Sequence, residues 1–183
     1  MSRISHCTRC GHAVAHVVPD GDNRERAVCR SCGHIEYQNP RIVVGCVVEH
    51  DGAILLCRRA IEPRRGYWTV PAGFMELGES MGDAARRETW EEAEAEVELG
   101  EMIAAVDVVH AGQVHVFFRG RMATPSFGAG VETIESRLIA PVDIPWDEIA
   151  FPSVRIALEE FLQATAGITR PVHLATAPRY RFE

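Results

Sequence analysis

From residue 41 onward the apolar positions fall into short β-branched runs separated by turn residues. The runs "RIVVGCVVEH" and "AILLCRR" meet at Asp51-Gly52, a pair that favours the tight turn of a β-hairpin. A loop follows, "AIEPRRGYWTVPAGFMELGE", punctuated by Pro63, Gly66, Pro71, Gly73 and Gly78. The pattern turns helical at Ser80, where Ser80 and Asp83 have the spacing of a capping box and residues 84–93 contain good helix formers without proline. Further strands are predicted at "MIAAVDVVH", "VHVFFRGRM" and "ESRLIA". A second helix, "PSVRIALEEFLQATAG", opens with Pro152 in its first turn and closes at Gly167. The tail from Ile168, with two prolines and three arginines, is expected to be irregular. Strands outnumber helices and no βαβ alternation is visible. The expected fold is therefore α/β (α+β), a mixed sheet between helices in an α/β/α sandwich, rather than a doubly wound sheet.

The first forty residues follow a different pattern. "HVVPDGDNRERAVC" reads as strand, Pro-Asp-Gly turn and strand. On either side stand two C-x-x-C knuckles, Cys7/Cys10 and Cys29/Cys32, with eighteen residues between them and a glycine, Gly11 or Gly33, after each. This spacing suits a four-cysteine Zn²⁺ site, and four thiolates leave no open coordination position, so the ion is expected to be structural. Two disulfides or a redox pair are the rival readings. The first is disfavoured in a reducing compartment, and the second calls for one C-x-x-C at a helix start. His12 and His34 are expected to be exposed. Cys46 and Cys57 lie in apolar runs and read as small hydrophobes. With a turn at Gln38-Asn39-Pro40, the expected organisation is a zinc ribbon at 1–39, a second domain at 40–167 and a tail at 168–183.

Composition narrows the chemistry. A chain of 183 residues is long enough for one well-buried core and a small module. No apolar run approaches the roughly 20 residues of a membrane helix, and residues 1–10 lack the apolar core of a signal peptide, which together suggest a cytoplasmic protein without a membrane partner. A net charge of −7 argues against a sequence-independent grip on nucleic acid. All 19 basic residues are arginine. A Walker-A lysine, a Schiff-base lysine and a lysine nucleophile are thereby excluded.

Two signatures compete within residues 73–96. Gly78-Glu79-Ser80-Met81-Gly82 has the G-x-S-x-G form of a nucleophile elbow, but an elbow needs a strand running into the serine, and here a Pro/Gly loop precedes it. Capping accounts for Ser80 without further assumptions. The other signature is Arg87-Glu88-Thr89-Trp90-Glu91-Glu92. On a helix, Glu88, Glu91 and Glu92 fall within an arc of about 100°, with Thr89, Trp90 and Ala93 on the side expected to face the sheet. Glu88 and Glu92 repel at i, i+4, and bound divalent cations with a preference for oxygen ligands, Mg²⁺ or Mn²⁺, would explain such a face better than solvent does.

Gly73, five residues, Glu79, seven residues, Arg87-Glu88, two residues, Glu91-Glu92 matches the box of the Nudix hydrolases, which this chain resembles from about residue 41 to 162. It departs from that box at Thr89, at Ala95, and at Glu94, which replaces glycine and would let the helix run on for another turn. The resemblance implies the α/β/α sandwich. It also implies that Glu88, Glu92 and the Gly73 carbonyl are ligands of the catalytic Mg²⁺ or Mn²⁺. Glu91 would be a further ligand or orient water, Glu79 would bind metal directly or through water, and Arg87 would fix the glutamates. The general base would come from the helix or from a later loop, where Glu132 and Glu135 are candidates and Glu135 is preferred. Arg58, Arg59, Arg64 and Arg65 are candidates to grip phosphates. Tyr67, Trp68 and Phe74 are candidates to stack on a base.

The implied reaction is hydrolysis of a P–O–P bridge in a small-molecule nucleotide. A ribbon before such a domain resembles NADH pyrophosphatases and a shorter group similar to ADP-ribose/FAD pyrophosphatases. The S-Q-P-W-P-F-P-x-S stretch of the former has no counterpart here, so ADP-ribose or FAD, cleaved to release AMP, is favoured. NADH hydrolysis or NAD-RNA decapping is the alternative within the class. Outside it stands a nucleotide-sensing regulator with the ribbon as interaction module, and a homodimer is left open.

Overall fold

A computed structural model of the chain describes residues 3–122, 124–165 and 171–179. It divides into two compact units, Met1–Pro40 and Arg41–Glu183. The first is a three-stranded antiparallel sheet of β1 (Val14–Val17), β2 (Arg26–Cys29) and β3 (Ile35–Glu36), in that order. Its two knuckles are built alike: the Gly11 N–H donates to the Cys7 carbonyl and the Gly33 N–H to the Cys29 carbonyl, each at 2.9 Å. Both glycines sit in the left-handed region, at φ 73° and 72°, where a side chain would be strained. Only Cys7, Ala27 and Cys29 are buried apolar residues among the described part of this unit.

The second unit holds the predicted hairpin, β4 (Arg41–His50) and β5 (Ala53–Arg59), then the short strands β6 (Trp68–Thr69) and β7 (Ala72–Phe74) within the loop, and α1 (Met81–Ala93). After it come β8 (Val97–Val108), β9 (Gln113–Met122), β10 (Thr133–Ile139), α2 (Pro152–Thr165) and β11 (His173–Thr176). The main sheet runs β10-β5-β4-β9-β8-β11, with β6 on β5 and β7 on β4. It is mixed: β4 with β9 and β8 with β11 are parallel, and the other pairs are antiparallel. Alternation along the strands divides the core between the two faces. Val44, Cys46 and Val48 pack with Ala84, Ala85 and Ala93 of α1, while Val47, Leu56 and Phe117 pack with Leu158 and Phe161 of α2. This is the expected sandwich, and Cys46 and Cys57 are core residues in it. No helix among the described residues is long and apolar enough to cross a membrane.

Three details depart from the sequence reading. The tail is not irregular throughout, because β11 pairs with β8 from His173 opposite Ala104 to Thr176 opposite Asp107. An open sheet edge supplies the hydrogen bonds that a four-residue segment could not find alone. α1 stops at Ala93, since Glu94 takes the left-handed conformation at φ 50° and its N–H returns to the Trp90 carbonyl. Trp90 faces outward at 53% exposure. The small Ala84 and Ala85 bring α1 close to the sheet and turn Glu88, Thr89, Glu92 and Ala93 inward. The Gly167 end of the second helix lies outside the described residues.

Candidate active site

α1 carries the carboxylates, and both its ends are fixed. At the start, the Ser80 hydroxyl accepts the Asp83 N–H at 3.2 Å, while the Asp83 carboxylate accepts the Ser80 N–H at 3.3 Å and the Ser80 hydroxyl at 2.6 Å. Ser80 is a helix cap with its hydroxyl engaged, as its place before the helix suggested. At the far end, a loop satisfies the last carbonyls of the helix: the Gly128 N–H donates to Ala93 at 2.7 Å and the Gly130 N–H to Glu92 at 3.1 Å. A Cβ on Gly130 would overlap the Glu91 carbonyl. Two residues later, the Glu132 carbonyl accepts the Ala60 N–H at 2.8 Å at the end of β5.

Arg87 organises the glutamates. Its Nε and Nη2 hold the two oxygens of Glu79 at 3.0 and 2.8 Å, its Nη1 reaches Glu88 at 2.8 Å and Glu91 at 2.9 Å, and Nη2 also donates to the Phe74 carbonyl at 3.0 Å. This fork uses the planar, multi-donor geometry that a lysine lacks. The Arg87 bonds hold Glu79 down at about 2, helped by the Glu76 N–H at 2.6 Å. Glu79 thus braces Arg87.

Glu88 and Glu92 are 9% and 7% exposed, unusually buried for carboxylates. Burial raises the pKa of Glu88 against the pull of Arg87, and it pushes Glu92 up to about 8 against the Ala72 N–H, which donates to it at 3.0 Å. A side chain on Gly73 would run into the Glu88 carboxylate, so glycine is required where the β7 backbone meets it. Two buried acids beside a bare backbone, with the charge of Glu88 adding to the rise at Glu92, form an all-oxygen donor set suited to a hard divalent cation. Among the described residues, mutual approach within 4.8 Å of three or more such ligand atoms occurs at Cys7, Cys10, Cys29 and Cys32 alone. The glutamates of α1 are more open than that.

The cysteine site has a different character. Cys7 and Cys32 sulfurs lie 3.7 Å apart, and Cys10 and Cys29 sulfurs 3.5 Å. Four sulfurs placed tetrahedrally about 2.3 Å from a common ion would be roughly 3.8 Å apart. The Cys32 N–H draws the Cys29 thiol down to about 6, toward the thiolate a metal requires.

A cleft of about 910 Å³ is lined by Gly73, Phe74, Arg87, Glu88, Glu91 and Glu92 on one side and by β9 and the start of α2 on the other. Of the predicted phosphate and base contacts, Arg59 and Phe74 line it. Arg59 lies over the Phe151 ring at 5.1 Å, and Phe74 lies under Arg41 at 4.5 Å. Arg58 is committed elsewhere, to the Gly66 carbonyl and Glu135. Tyr67 lies under Arg64, and Trp68, flanked by Arg58 and Arg137, is buried in the core. Of the two loop acids, Glu132 lines the cleft, close enough to raise the pKa of both Glu88 and Glu92. Glu135 does not line it. Against the cost of its burial, Arg137 at 2.6 Å and Arg58 at 3.2 Å hold its pKa below the ordinary carboxylate range. Of the two, Glu132 is the acid that the cleft holds. Sequence reasoning also missed Gln113, His115, Phe151 and Ser153 as cleft residues.

Comparison with known proteins agrees with this geometry. Residues 39–161 match the NUDIX domain and residues 5–38 match the Nudix N-terminal zinc ribbon. A Nudix hydrolase structure from Nitrosomonas europaea is 40% identical with a TM-score of 0.90, over 94% of this chain and 98% of that one. The chain is 36% identical over 89 residues to the NAD-capped RNA hydrolase NudC of Chromobacterium violaceum, covering 48% of this chain and 32% of that protein. It is 39% identical over 56 residues to the ADP-ribose pyrophosphatase of Methanocaldococcus jannaschii, covering 31% of this chain and 33% of that protein.

Proposed function

The chain belongs to the Nudix hydrolase family, and on that premise we propose that it is a Mg²⁺- or Mn²⁺-dependent pyrophosphatase that cleaves ADP-ribose or FAD and releases AMP. The observation that carries this reading is the pair of buried acids, Glu88 and Glu92, set against Gly73 in a cleft that also holds Arg59. A divalent cation held by Glu88, Glu92 and the Gly73 carbonyl would neutralise diphosphate charge and acidify water. Glu132 takes a proton from the attacking water as its oxygen bonds to one phosphorus. The bridging P–O bond then breaks and its electron pair leaves with the second phosphate. Arg59, braced on Phe151, pairs with phosphate oxygens, and Arg87 keeps the glutamates aimed. In the ribbon, Cys7, Cys10, Cys29 and Cys32 hold a structural Zn²⁺.

Similarity to both an ADP-ribose pyrophosphatase and an NAD-capped RNA hydrolase supports a nucleoside diphosphate linked to a second moiety, and keeps NADH hydrolysis or NAD-RNA decapping as the second reading. The test is a panel of ADP-ribose, FAD, NADH, NAD⁺ and NAD-capped RNA with Mg²⁺ or Mn²⁺. AMP from ADP-ribose or FAD at the highest kcat/KM is the expected result, turnover of NAD-capped RNA alone would move the assignment to decapping, and turnover of none by the zinc-loaded protein would sink it.

A further inference from the structure

Two strand spacings across the sheet from the glutamates lies a polar relay that the reaction scheme does not use. Val43 of β4 pairs with Phe74 of β7 on one side and with His115 of β9 on the other, which places His115 roughly 10 Å from the β7 backbone. His115 Nε2 lies 2.9 Å from Gln113 Oε1, and His115 Nδ1 lies 2.9 Å from the hydroxyl of Ser153 in the first turn of α2. An amide oxygen only accepts, so Nε2 carries the proton. Burial keeps the ring neutral, with its pKa lowered to about 4, so Nδ1 accepts from the Ser153 hydroxyl. The chain of bonds therefore has one direction, Ser153 to His115 to Gln113. It fixes the Gln113 amide through its oxygen and leaves the two N–H donors of that amide without a protein partner among the described residues.

All three residues line the cleft, and Ser153 is 2% exposed. The same cleft is lined by the apolar Val108, Phe117, Phe151, Val154 and Ala177, with His110 as a further polar member. A neutral relay in apolar walls does not suit a phosphate, which has Arg59 and the carboxylate side of the cleft. It suits a flat aromatic group with hydrogen-bond acceptors at its edge.

Building on the pyrophosphatase reading, we propose that Gln113, oriented by His115 and Ser153, is the residue that recognises the nucleobase of the substrate by donating its amide N–H groups to a ring acceptor. Gln113 touches the base. His115 and Ser153 act through it as positioning residues.

Binding tests this without turnover. AMP and ribose 5-phosphate are titrated calorimetrically into zinc-loaded, Mg²⁺-supplemented wild type, Gln113→Glu and Ser153→Ala. Gln113→Glu keeps an acceptor for the ring but removes both donors, and AMP binding is expected to weaken about tenfold, the usual scale for a lost recognition bond whose partner stays buried. Ser153→Ala is expected to weaken AMP about threefold by releasing the ring. Ribose 5-phosphate, which lacks the base, should bind all three proteins alike, a selectivity that a merely structural effect would not produce. Unchanged AMP affinity in Gln113→Glu, equal losses for both ligands, or no AMP binding by wild type would each overturn the proposal. A protein that binds AMP through Gln113 yet hydrolyses nothing in the substrate panel would overturn the pyrophosphatase reading and leave this one standing.

Discussion

The two units of this chain use acidic metal-binding groups in opposite ways. In the ribbon, four sulfurs close on one point, and only three apolar residues are buried among those described. In the catalytic unit, clusters on both sheet faces bury more than two dozen apolar side chains, and its carboxylates are left open to a cleft. Each large side chain buried there contributes about 1.5–3 kcal/mol, so the scaffold is expected to stand without a metal. On the proposed reading, metal holds the fold together where the core is small and is available for chemistry where the core is large.

Removal of zinc is expected to have the largest effect. A strong zinc chelator, or Cys29→Ser, should unfold the ribbon, whose metal would supply on the order of 10 kcal/mol, while the catalytic unit keeps its own unfolding transition. Amide exchange resolved along the sequence checks this, and full protection of β1 and β2 without zinc would refute it. Next in size is the loop acid. Glu132→Gln is expected to lower kcat about 10²–10⁴-fold, the range of a lost general base, whereas Glu135→Gln should change it less than about threefold. Steady-state kinetics of the pair decides between them. Gly130→Ala should cost about 2 kcal/mol and loosen the loop that delivers Glu132, because its Cβ meets the Glu91 carbonyl. Thermal unfolding combined with kcat reads both effects.

The smallest effect is electrostatic. The folded-state pKa of His115 is lowered to about 4 from an ordinary 6.5, so this group's contribution to stability is complete above 6.5 and is lost as pH falls toward 4. Between pH 7 and 5.5 the catalytic unit should lose about 1 kcal/mol to this group, and His115→Phe should remove that dependence in denaturant titrations.

Local chemistry made much of this legible in the sequence. Asp51-Gly52 places the hairpin, Ser80 and Asp83 place the helix start, and the knuckles place the ribbon. Each of these signals is read within a few residues. What escaped depends on distant partners. Periodicity alone put Trp90 toward the sheet, but which arc of α1 is buried was settled by the close approach of Ala84 and Ala85. Glu94 ends the helix because Gly128 and Gly130, more than thirty residues on, take up the last carbonyls. The choice between Glu132 and Glu135 turned on a register shift where β10 begins and on Arg58 and Arg137 claiming the latter. Gln113, His115 and Ser153 meet only because β9 lies beside the start of α2. The site's chemistry was written at fixed spacings, whereas the residues that would choose a substrate were scattered.

The central claim is that the carboxylates of α1, and not the ribbon, hold the catalytic ion. Titrating Mn²⁺ into zinc-loaded wild type and Glu92→Gln by electron paramagnetic resonance, with ADP-ribose hydrolysis measured on the same samples, tests it directly. The predicted result is a loss of Mn²⁺ affinity of about a hundredfold in Glu92→Gln, accompanied by loss of turnover with the ribbon's zinc retained. Mn²⁺ binding and hydrolysis at wild-type levels in Glu92→Gln would contradict it.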